Sequence, residues 1–304
     1  MDTNSKRLIV VVDGGGSTCR VNIHDLNNKI LGQASGNSAN IATNFNETLN
    51  NILKTTKLAY SNAGLSYERM HHDIAYLGLA GAGLRGVAAR MEDALKFAST
   101  TVTSDREITV QGALGNDNGS VALIGTGSFF VARLGTNIKH VGGWGFQLGD
   151  DGGGAILGRE LLRRTILAHD GIIAHSPLTL SILDQFGGSP LGLLDFVQSA
   201  TPMDYGSFAP KLIKAFQNKD PIASQIINLA VLALTHTLDN IDVKSTGVLY
   251  MMGGLGSFYQ QLLDANYQAL CKAPKGDALS GALALAQKQI TVLAQKQQYL
   301  HKNK

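Results

Sequence analysis

Apolar positions divide the chain into short runs typical of strands and longer runs typical of helices. Residues 8–12 and 74–80 are almost continuously apolar, which predicts buried strands, and residues 19–23 alternate with a period of two, which predicts a half-buried strand. Apolar side chains recur at helical spacing over residues 45–62. We therefore expect an α/β protein in which strand-rich and helix-rich segments follow one another.

The same order of elements occurs twice. An antiparallel meander of short strands joined by tight turns is predicted over residues 8–34, and a second begins over residues 120–134. Each meander opens with a strand that runs into a turn rich in Gly, Ser and Thr, and each is followed by strand–helix units. This predicts an internal duplication of the architecture. Further helices are predicted at residues 87–98, from the glycines at 152–154 to about 169, at 221–240, from residue 257 to about 271 and at 277–298. Further strands are predicted at 100–103 and 247–252.

The composition is that of a folded chain with a large core. The 304 residues are 44% hydrophobic and 16% charged, which excludes an intrinsically disordered protein and suggests about two domains. The net charge is +3 and Trp occurs once, so the sequence lacks the basic pattern of a nucleic-acid-binding protein. Cys19 and Cys271 provide neither a disulfide framework nor a metal set.

Two features bear on membranes. The apolar run after Lys6 and Arg7 stops at Asp13 and is shorter than the ~7–15 residues of a signal-peptide core. No uninterrupted apolar stretch approaches the ~18 residues of a membrane span. We therefore expect a cytoplasmic protein with no membrane or nucleic-acid partner.

Glycine is enriched to 35 residues, and the glycines come in clusters. The turn at residues 13–18 (DGGGST) lets backbone amides approach an anion, because glycine adds no Cβ and reaches positive φ. Asp13 can hold Mg²⁺ there through water. The alternative is a glycine-rich hairpin with no ligand. A second turn at residues 125–128 (GTGS), in the equivalent place of the second repeat, favours a ligand, since two such turns suit a triphosphate.

A third cluster, residues 81–86 (GAGLRG), fits the dinucleotide-binding pattern GxGxxG. It follows a predicted strand, precedes a predicted helix and has Asp105 19 residues after Gly86. It leaves the other clusters unexplained, so we attribute these glycines to close packing of a helix on a strand. No GxxxxGK[ST] sequence is present, which excludes a P-loop nucleotide-binding protein.

Four motifs, in order, resemble one family. DGGGST (13–18), GTGS (125–128), GGWGFQLGDDGGG (142–154) and MMGGLGS (251–257) are similar to those of the N-acetylglucosamine and glucosamine kinases. These kinases belong to the hexokinase–actin superfamily, in the branch that also contains the activator ATPases of acyl-CoA reductases and dehydratases. The resemblance extends from residue 8 to about residue 285. It implies an α/β, two-lobed actin-like ATPase (ribonuclease H-like) fold, with duplicated mixed-sheet domains and a central cleft.

The resemblance divides the chain into three parts. Residues 1–114 are the N-terminal lobe with the first phosphate hairpin and the catalytic Asp. Residues 115–285 are the C-terminal lobe with the second phosphate hairpin, the sugar loop and the adenosine loop. Residues 286–304 are a C-terminal helix that packs back on the N-terminal lobe and ends in a basic tail at 301–304. The lobes are expected to close on the sugar and expel water, and a homodimer is left open.

The resemblance implies ATP and Mg²⁺ as cofactors and a role for each motif. Asp13 is the Mg²⁺ ligand, through water, and the strand-to-helix turn near residue 255 leaves room for the nucleoside. The implied ATP-binding residues are Gly14, Gly15, Gly16, Ser17, Thr18, Gly125, Thr126, Gly127, Ser128, Gly253, Gly254, Leu255, Gly256 and Ser257. The implied sugar-binding residues are Asn40, Asp105, Thr126, Gly143, Trp144, Gly145 and Asp150.

Asp105 has two interpretations. It resembles the acid that ends a T-[NST]-D strand in the family, here Thr103-Ser104-Asp105. In that role the carboxylate orients the sugar hydroxyl and accepts its proton as the catalytic base. Alternatively, Asp105 is a helix N-cap, because Arg106 and Glu107 can open a helix.

The loop at residues 142–154 bears on the choice of sugar. Asp150 can accept two hydrogen bonds from sugar hydroxyls, Trp144 either packs under the sugar or anchors the loop, and Asp151 can serve a helix N-terminus. GGWG followed by GDDG favours N-acetylglucosamine, whereas residues 171–177 and 204–208 resemble the glucosamine enzymes. The implied reaction is ATP-dependent phosphorylation of the 6-hydroxyl of N-acetyl-D-glucosamine, with glucosamine as the alternative sugar.

Two other classes of function are weighed. An activator-type ATPase holds an iron–sulfur cluster with cysteines, but Cys19 and Cys271 have no paired spacing and are expected to be buried thiols. An oxidoreductase would use the GxGxxG cluster and bind a dinucleotide. The adjacent His71 and His72 are expected to face solvent and receive no role.

Overall fold

The computed structural model describes residues 7–302, which form two compact units. The strands are β1 (Ile9–Gly14), β2 (Thr18–His24), β3 (Ile30–Asn37), β4 (Ile74–Leu79), β5 (Ser99–Ser104), β6 (Gly119–Ile124), β7 (Ser128–Leu134), β8 (Asn137–Gly142) and β9 (Leu249–Met252). The helices are α1 (Phe45–Asn62), α2 (Val87–Ala94), α3 (Asp105–Leu114), α4 (Gly154–His169), α5 (Pro177–Gln185), α6 (Pro190–Ser199), α7 (Pro202–Gly206), α8 (Ala209–Gln217), α9 (Pro221–Asn240), α10 (Val243–Thr246), α11 (Gly256–Gln260), α12 (Ala265–Gln268) and α13 (Ala278–Lys302), with a 3₁₀ helix at Tyr67–His72.

The first unit is built from two separate stretches of chain. Among the described residues it contains 7–116 together with 274–302, and Asp117–Ala273 form the second unit. The predicted C-terminal lobe extends to residue 285, whereas residues 274–285 belong to the first unit, because α13 packs on α3 and β1. Of the predicted basic tail, residues 301 and 302 end α13, and residues 303 and 304 lie outside the described residues.

A five-stranded mixed sheet in the order β3-β2-β1-β4-β5 organises the first unit. β1 pairs antiparallel with β2 and parallel with β4, and β4 pairs parallel with β5. The continuous apolar run of β1 arises because the strand is buried on both faces. Val10 and Val12 pack in the core with α1, whereas Ile9 and Val11 pack in a core with residues of α3 and α13.

The second unit repeats this arrangement in a four-stranded sheet, in the order β8-β7-β6-β9. β6 pairs antiparallel with β7 and parallel with β9, as β1 does with β2 and β4. The predicted duplication of the meander is therefore confirmed. The third strand of this meander, β8, escaped the hydrophobic pattern because its residues from Asn137 to His140 are exposed.

Helix α9 is, in the described part of the chain, the one helix long and apolar enough to cross a membrane by length and composition. The prediction that no uninterrupted apolar stretch approaches ~18 residues still holds, because Gln225, Asn228 and Thr235 interrupt the apolar residues of α9. In the structure, 39% of its most apolar window is buried. Ile226, Leu234 and Leu238 on its inner face pack in the core of the second unit. α9 thus serves as a core helix of this unit.

Helices α3 and α13 approach each other at backbone contact. A Cβ at Gly112 would lie 2.7 Å from the carbonyl carbon of Asp277, and one at Gly281 would lie 2.9 Å from the carbonyl carbon of Ile108. Only glycine allows such an approach, since a real Cβ would overlap the opposing backbone. The two helices therefore pack as one rigid layer on the sheet.

A buried carboxylate joins three parts of the first unit. Asp73 is fully buried and accepts hydrogen bonds from the Leu8 amide (2.9 Å) and the Tyr60 hydroxyl (2.8 Å). The Arg69 guanidinium forms an ion pair with the same carboxylate, with Nε 3.1 Å from Oδ2. The charge of Asp73 is thus compensated within the core, as a buried charge requires.

The GxGxxG cluster owes its glycines mainly to backbone conformation. Gly81 and Gly86 adopt positive φ (81° and 77°), and Gly86 is the N-cap of α2. A Cβ at Gly83 or Gly86 would meet no atom within 4 Å, so the predicted close helix–strand packing is wrong for these two positions.

Candidate active site

In the first unit, several predicted site residues lie at one edge of the sheet. Asp13 stands next to the end of β1, level with Gly78 of β4 and Thr103 of β5. Because these strands are parallel, their carboxyl ends share an edge, which is where open α/β sheets place ligands. Asp105 begins α3 directly after β5, and Asn40 forms a bridge to Ala80 directly after β4.

The hydrogen bonds that the described residues donate to the Asp105 carboxylate all go to one of its two oxygens, Oδ1. The N-cap of α3 is Ser104, whose hydroxyl accepts from the Arg106 amide, so the alternative of Asp105 as the N-cap is wrong. Asp105 Oδ1 accepts hydrogen bonds from the Arg106 amide (3.0 Å) and the Ser104 hydroxyl (3.2 Å). Within residues 7–302, no hydrogen bond to Oδ2 is seen. The side chain is fixed, yet one oxygen can still accept a proton.

The electrostatic surroundings raise the pKa of Asp105. Burial raises it most, the Ser104 hydrogen bond and the nearby Arg106 charge lower it, and the negative charge of Asp13 raises it further. The net shift is upward. A carboxylate whose pKa lies closer to neutrality is a better proton acceptor for a hydroxyl than an ordinary aspartate.

Asp13 is paired with Arg20, its cross-strand neighbour in the β1–β2 hairpin. Arg20 Nε and Nη2 both donate to Asp13 Oδ2, at 3.1 and 2.6 Å. Burial raises the pKa of Asp13 more than Arg20 lowers it. Oδ1 accepts no hydrogen bond from the described part of the chain, which leaves it available to a ligand. Arg20 was not predicted as a site residue, although its position opposite Asp13 in the predicted hairpin was a usable signal.

A single available carboxylate oxygen fits Mg²⁺ bound through water. Mg²⁺ prefers oxygen ligands and usually keeps several waters when it also binds phosphates. Among residues 7–302, no group of three or more His, Cys, Asp or Glu side chains could hold a metal by itself. The available oxygen of Asp13 thus suits a metal that is bound mainly by the phosphates of a nucleotide, rather than one coordinated entirely by protein side chains.

The turn between β1 and β2 is fixed at its base and open at its tip. Gly14 is buried, and a Cβ there would lie 2.5 Å from Leu79 Cδ2, whereas a Cβ at Gly16 would meet no atom within 4 Å. The Gly15 carbonyl accepts from the Ala39 amide at 3.0 Å. Positive φ, the reason given above for these glycines, is wrong, since none of the three adopts it. The open tip still gives a ligand access to the backbone at Gly16.

Asn40 presents hydrogen-bond donors. Its Oδ1 accepts from the Ala42 amide (3.0 Å), and its carbonyl accepts from the Thr48 hydroxyl (2.9 Å). Nδ2 donates to no group in the described ranges. Because the oxygen is engaged, the side chain offers its two N–H groups, which suit the oxygen of a sugar hydroxyl.

In the second unit, the turn at residues 125–128 is joined to the start of α4. The carbonyls of Gly125 and Thr126 accept from the first two amides of the helix, those of Gly154 (2.8 Å) and Ala155 (2.9 Å). The Ser128 hydroxyl donates to the Asp151 carbonyl at 2.8 Å. The second predicted phosphate turn and the end of the predicted sugar loop therefore form one local structure.

Asp150 is held in an unusual backbone conformation above this turn. Its φ is +65°, in the left-handed region that non-glycine residues rarely adopt. Its carboxylate lies against Gly127, where a Cβ would be 2.8 Å from Asp150 Cγ. A strained residue with its carboxylate placed beside a glycine turn is the kind of feature found at ligand-binding sites.

The predicted sugar loop is anchored by Phe146 rather than by Trp144. Trp144 is 77% exposed and Leu148 85% exposed, so the interpretation of Trp144 as the loop anchor is wrong. Phe146 packs on the core of the second unit, with its ring 5.0 Å from that of Tyr205, and Arg159 lies over the same ring. Gly143 and Gly145 flank Trp144 with positive φ. Phe146 was not predicted as the anchor of this loop. Its role depends on its contact with Tyr205 of α7, which the local sequence around Phe146 does not indicate.

The predicted adenosine turn lies directly beside the end of β6. Gly253 adopts a φ of +83°, and the Leu255 amide donates to the Ile124 carbonyl at 2.9 Å. Leu255 and Gly256 are buried, whereas Gly253, Gly254 and Ser257 are exposed. Of the five residues predicted here, the exposed three can meet a ligand, and Leu255 instead packs in the core.

The two cysteines are buried to different degrees. Cys19 is fully buried in β2, and burial raises the pKa of its thiol to about 12. Cys19 packs in the core of the first unit, which fits the prediction of a buried apolar thiol. Cys271 is half-buried, and burial raises its pKa as well. His71 and His72 are exposed, as predicted.

Comparison with known proteins covers nearly the whole chain. Residues 10–269 match the model of the BadF/BadG/BcrA/BcrD ATPase family. The chain is 30% identical over 280 residues to glucosamine kinase GspK of Vibrio cholerae (92% of this chain, 95% of the relative). It is 23% identical over 303 residues to the N-acetylmuramic acid/N-acetylglucosamine kinase of Clostridium acetobutylicum (92% of this chain, 98% of the relative).

A solved structure matches as well. The crystal structure of a Chromobacterium violaceum protein to which N-acetylglucosamine kinase activity is ascribed superposes with a TM-score of 0.86 at 30% identity, covering 93% of this chain and 99% of that one. This likeness, with the duplicated mixed sheets, confirms the predicted α/β actin-like ATPase fold.

Proposed function

Because the chain belongs to the BadF/BadG/BcrA/BcrD ATPase family, and within it to the N-acetylglucosamine and glucosamine kinases, we propose that it transfers the γ-phosphoryl group of ATP to the 6-hydroxyl of N-acetyl-D-glucosamine. The products are N-acetylglucosamine 6-phosphate and ADP. Sugar kinase activity as such follows from its relatives, which are hexosamine kinases by name. The acetylated sugar and the roles of individual residues are our proposal.

The observation that carries the proposal is the available oxygen of Asp105 at the sheet edge that also holds Asp13 and Asn40. In the proposed reaction, Asn40 donates a hydrogen bond to one sugar hydroxyl and Asp105 Oδ2 accepts one from the 6-hydroxyl. The hydroxyl oxygen forms a bond to the γ-phosphorus while the bond from that phosphorus to the β,γ-bridging oxygen breaks. The proton of the 6-hydroxyl passes to Asp105, and the electron pair of the broken phosphorus–oxygen bond leaves with ADP.

The glycine turns are proposed to bind ATP through their backbone. In the first unit these residues are Gly14–Gly16 with Ser17 and Thr18, and in the second unit they are residues 125–128 and 253–257. Mg²⁺, when bound, neutralises charge on the phosphates. Asp13 Oδ1 would hold it by accepting hydrogen bonds from its waters, as the contacts of Oδ2 with Arg20 leave Oδ1 available.

Three features of the second unit support a sugar site, and one of them, the exposed apolar side chains, favours N-acetylglucosamine. Asp150, beside Thr126 and Gly127, offers a carboxylate to adjacent sugar hydroxyls. Trp144 and Leu148 expose large apolar side chains on the loop that carries Asp150. Apolar groups of this size gain free energy by burial, and the acetyl methyl and the apolar face of the sugar ring are matching surfaces. Gly143 and Gly145 let the loop backbone fold around Trp144.

Glucosamine is the second candidate. The observation that favours it is the 30% identity to a glucosamine kinase over 92% of the chain. The fold, the turns and the roles of Asp13 and Asp105 would be unchanged with this sugar.

The test is ADP release by the purified protein with Mg·ATP and one of five additions: N-acetylglucosamine, glucosamine, N-acetylmannosamine, glucose or no sugar. We expect the highest kcat/KM with N-acetylglucosamine. Higher kcat/KM with glucosamine would replace the proposed sugar and keep the mechanism. Equal ADP release without any sugar would contradict the kinase proposal and favour an activator-type ATPase.

A further inference from the structure

Arg20 contacts two carboxylates at once. Its Nε and Nη2 donate to Asp13 Oδ2, and its third nitrogen, Nη1, donates to Asp277 Oδ2 at 3.2 Å. Asp13 lies near the end of β1, whereas Asp277 lies just before α13, more than 250 residues later in the chain. The planar guanidinium therefore links the sheet edge to the start of a helix, with its donors in a fixed geometry.

Asp277 divides its oxygens between this link and the helix. Oδ1 accepts from the Ser280 amide at 3.0 Å, the hydrogen bond of a helix N-cap, while Oδ2 accepts from Arg20. The Asp277 carbonyl accepts from the Ser280 hydroxyl (2.7 Å) and the Gly281 amide (3.0 Å). The side chain that holds Arg20 is thus itself fixed by the first turn of α13.

The first turn of α13 is in turn fixed against α3. The backbone contacts at Gly112 and Gly281 leave no space for either helix to shift toward the other. Asp105 is the first residue of α3. A continuous chain of contacts thus runs from Asp13 through Arg20 and Asp277 to the helix pair that carries Asp105.

Holding Asp13 and Asp105 at one edge requires such a restraint. Two carboxylates in partly buried surroundings repel each other, and each would otherwise turn toward solvent. The Arg20–Asp277 pair is poorly suited to add stability, because 40% of the Arg20 side chain and 51% of the Asp277 side chain are exposed. Exposed ion pairs contribute little to the free energy of unfolding. The contribution of Arg20 and Asp277 is therefore to fix the orientation of the Asp13 carboxylate.

We propose that Arg20 and Asp277 are a positioning pair that fixes the Asp13 carboxylate relative to Asp105 and keeps Asp13 Oδ1 directed to the waters of the metal–nucleotide complex. The inference rests on the proposed function, since it uses Asp13 and Asp105 in the roles given above. Neither Arg20 nor Asp277 touches substrate in this scheme. Both act through Asp13.

Asp277→Asn is the sharpest variant. Its amide oxygen can still accept from the Ser280 amide and cap the helix, but its NH₂ group cannot accept from Arg20. Ser280→Ala is the matched control, because it removes a hydrogen bond of the same helix turn and leaves the Arg20–Asp277 pair in place. Arg20→Lys keeps a cation beside Asp13 and loses the fork that reaches both carboxylates.

Two measurements are made on each full-length variant. The first is binding of Mn²⁺ in the presence of ADP, followed by the paramagnetic signal of free Mn²⁺. The second is the Mg²⁺ concentration for half-maximal sugar-dependent ADP release, with the KM for the sugar and the Tm alongside. For Asp277→Asn we expect both metal constants to weaken about 2- to 5-fold, the fold-change that corresponds to the coupling of an exposed ion pair, with unchanged sugar KM and Tm. Arg20→Lys, which loses the two-nitrogen contact with Asp13 as well as the link to Asp277, should weaken both metal constants at least as much.

Several results would overturn the inference. One is wild-type Mn²⁺·ADP binding in Asp277→Asn, and another is an equal loss in Ser280→Ala, which would assign the effect to the helix cap. Failure of the proposed function is recognised separately. If the wild type shows no sugar-dependent ADP release, the kinase proposal falls, while Mn²⁺·ADP binding still tests the positioning pair.

Discussion

The Asp150 carboxylate lies against the bare Cα of Gly127, in space that a side chain at position 127 would fill. Gly127→Ala should therefore push Asp150 away from the second turn and lower kcat/KM for the sugar, by up to about 100-fold if the carboxylate moves by an ångström. Steady-state kinetics with varied sugar measures this. Gly83→Ala is the control, because a Cβ at Gly83 meets no atom within 4 Å. Equal kinetics in the two variants would remove Asp150 from the sugar site.

Asp105→Asn should lower kcat about 100- to 10,000-fold, the usual contribution of a general base. Asparagine keeps an oxygen for the Arg106 amide and cannot take a proton. Because burial disfavours the charged form of Asp105, the Tm at neutral pH should not fall. Single-turnover phosphoryl transfer and thermal unfolding measure the two effects. Glu107→Gln, two residues along the same helix and exposed, should keep full activity, and near-normal turnover in Asp105→Asn would exclude Asp105 as the base.

The pH profile should show the raised pKa of Asp105. The base acts in its deprotonated form, and burial together with Asp13 raises its pKa above that of an ordinary aspartate. As the pH falls, the active form is therefore lost at a higher pH than an exposed aspartate would give. A profile of kcat/KM against pH at constant ionic strength should show this acid limb. The residual activity of Asp105→Asn should lack it, and an identical limb in that variant would assign it to another group.

Trp144 is the only tryptophan in the chain and is 77% exposed. Its fluorescence therefore reports on the sugar loop alone. If the sugar covers Trp144, saturating N-acetylglucosamine should shift the emission to shorter wavelength and protect it from acrylamide. Asp105→Asn, which should bind without turnover, is expected to show the same shift. An unchanged spectrum at saturating sugar would place Trp144 outside the sugar site.

Tyr60→Phe should destabilise the first unit by about 1.5–3 kcal/mol, the range for a hydrogen bond to a charged group. The lost hydroxyl donates to Asp73 Oδ2 at 2.8 Å, and the buried carboxylate would keep only Leu8 and Arg69 as partners. Denaturant unfolding measures the change. Tyr67→Phe removes a hydroxyl from the neighbouring ring, 6.1 Å away, and should have a smaller effect. A change of equal size in both variants would contradict the role of Asp73.

The regular elements were predictable where one physical signal was strong. Helix α1 was predicted at its observed bounds because its apolar residues recur at helical spacing. The structure adds that Asn44 caps its N-terminus. The buried strand β1 was predicted from its continuous apolar run. The helix predicted after residue 256 is instead split into α11 and α12, since Asp264 begins a new turn whose local hydrogen bonds no periodicity reveals.

The candidate site was predictable as motifs but not as contacts. Asp13 could be placed at a strand end because it follows an apolar run, and Asp105 because it follows the predicted strand at 100–103. Asn40 was predicted only from the family resemblance. The hydrogen bonds of these side chains could not be predicted. Asp105 uses its Oδ1 and Asn40 keeps its amide nitrogen available because of local turns that form only in the folded chain. The role of Trp144 depends on Phe146 reaching Tyr205, a contact between segments about 60 residues apart that no local spacing encodes.

Because the first unit consists of two separate stretches of chain, the two units can complete their folding only in a fixed order during translation. The second unit is one uninterrupted stretch, Asp117–Ala273, so all of its contacts are available as soon as it has left the ribosome. The sheet that carries Asp13 is synthesised first, yet its core with Ile9 and Val11 is covered only by α3 until α13 emerges. The unit that holds the proposed base is therefore begun first and completed last, and part of its apolar face stays uncovered until α13 emerges.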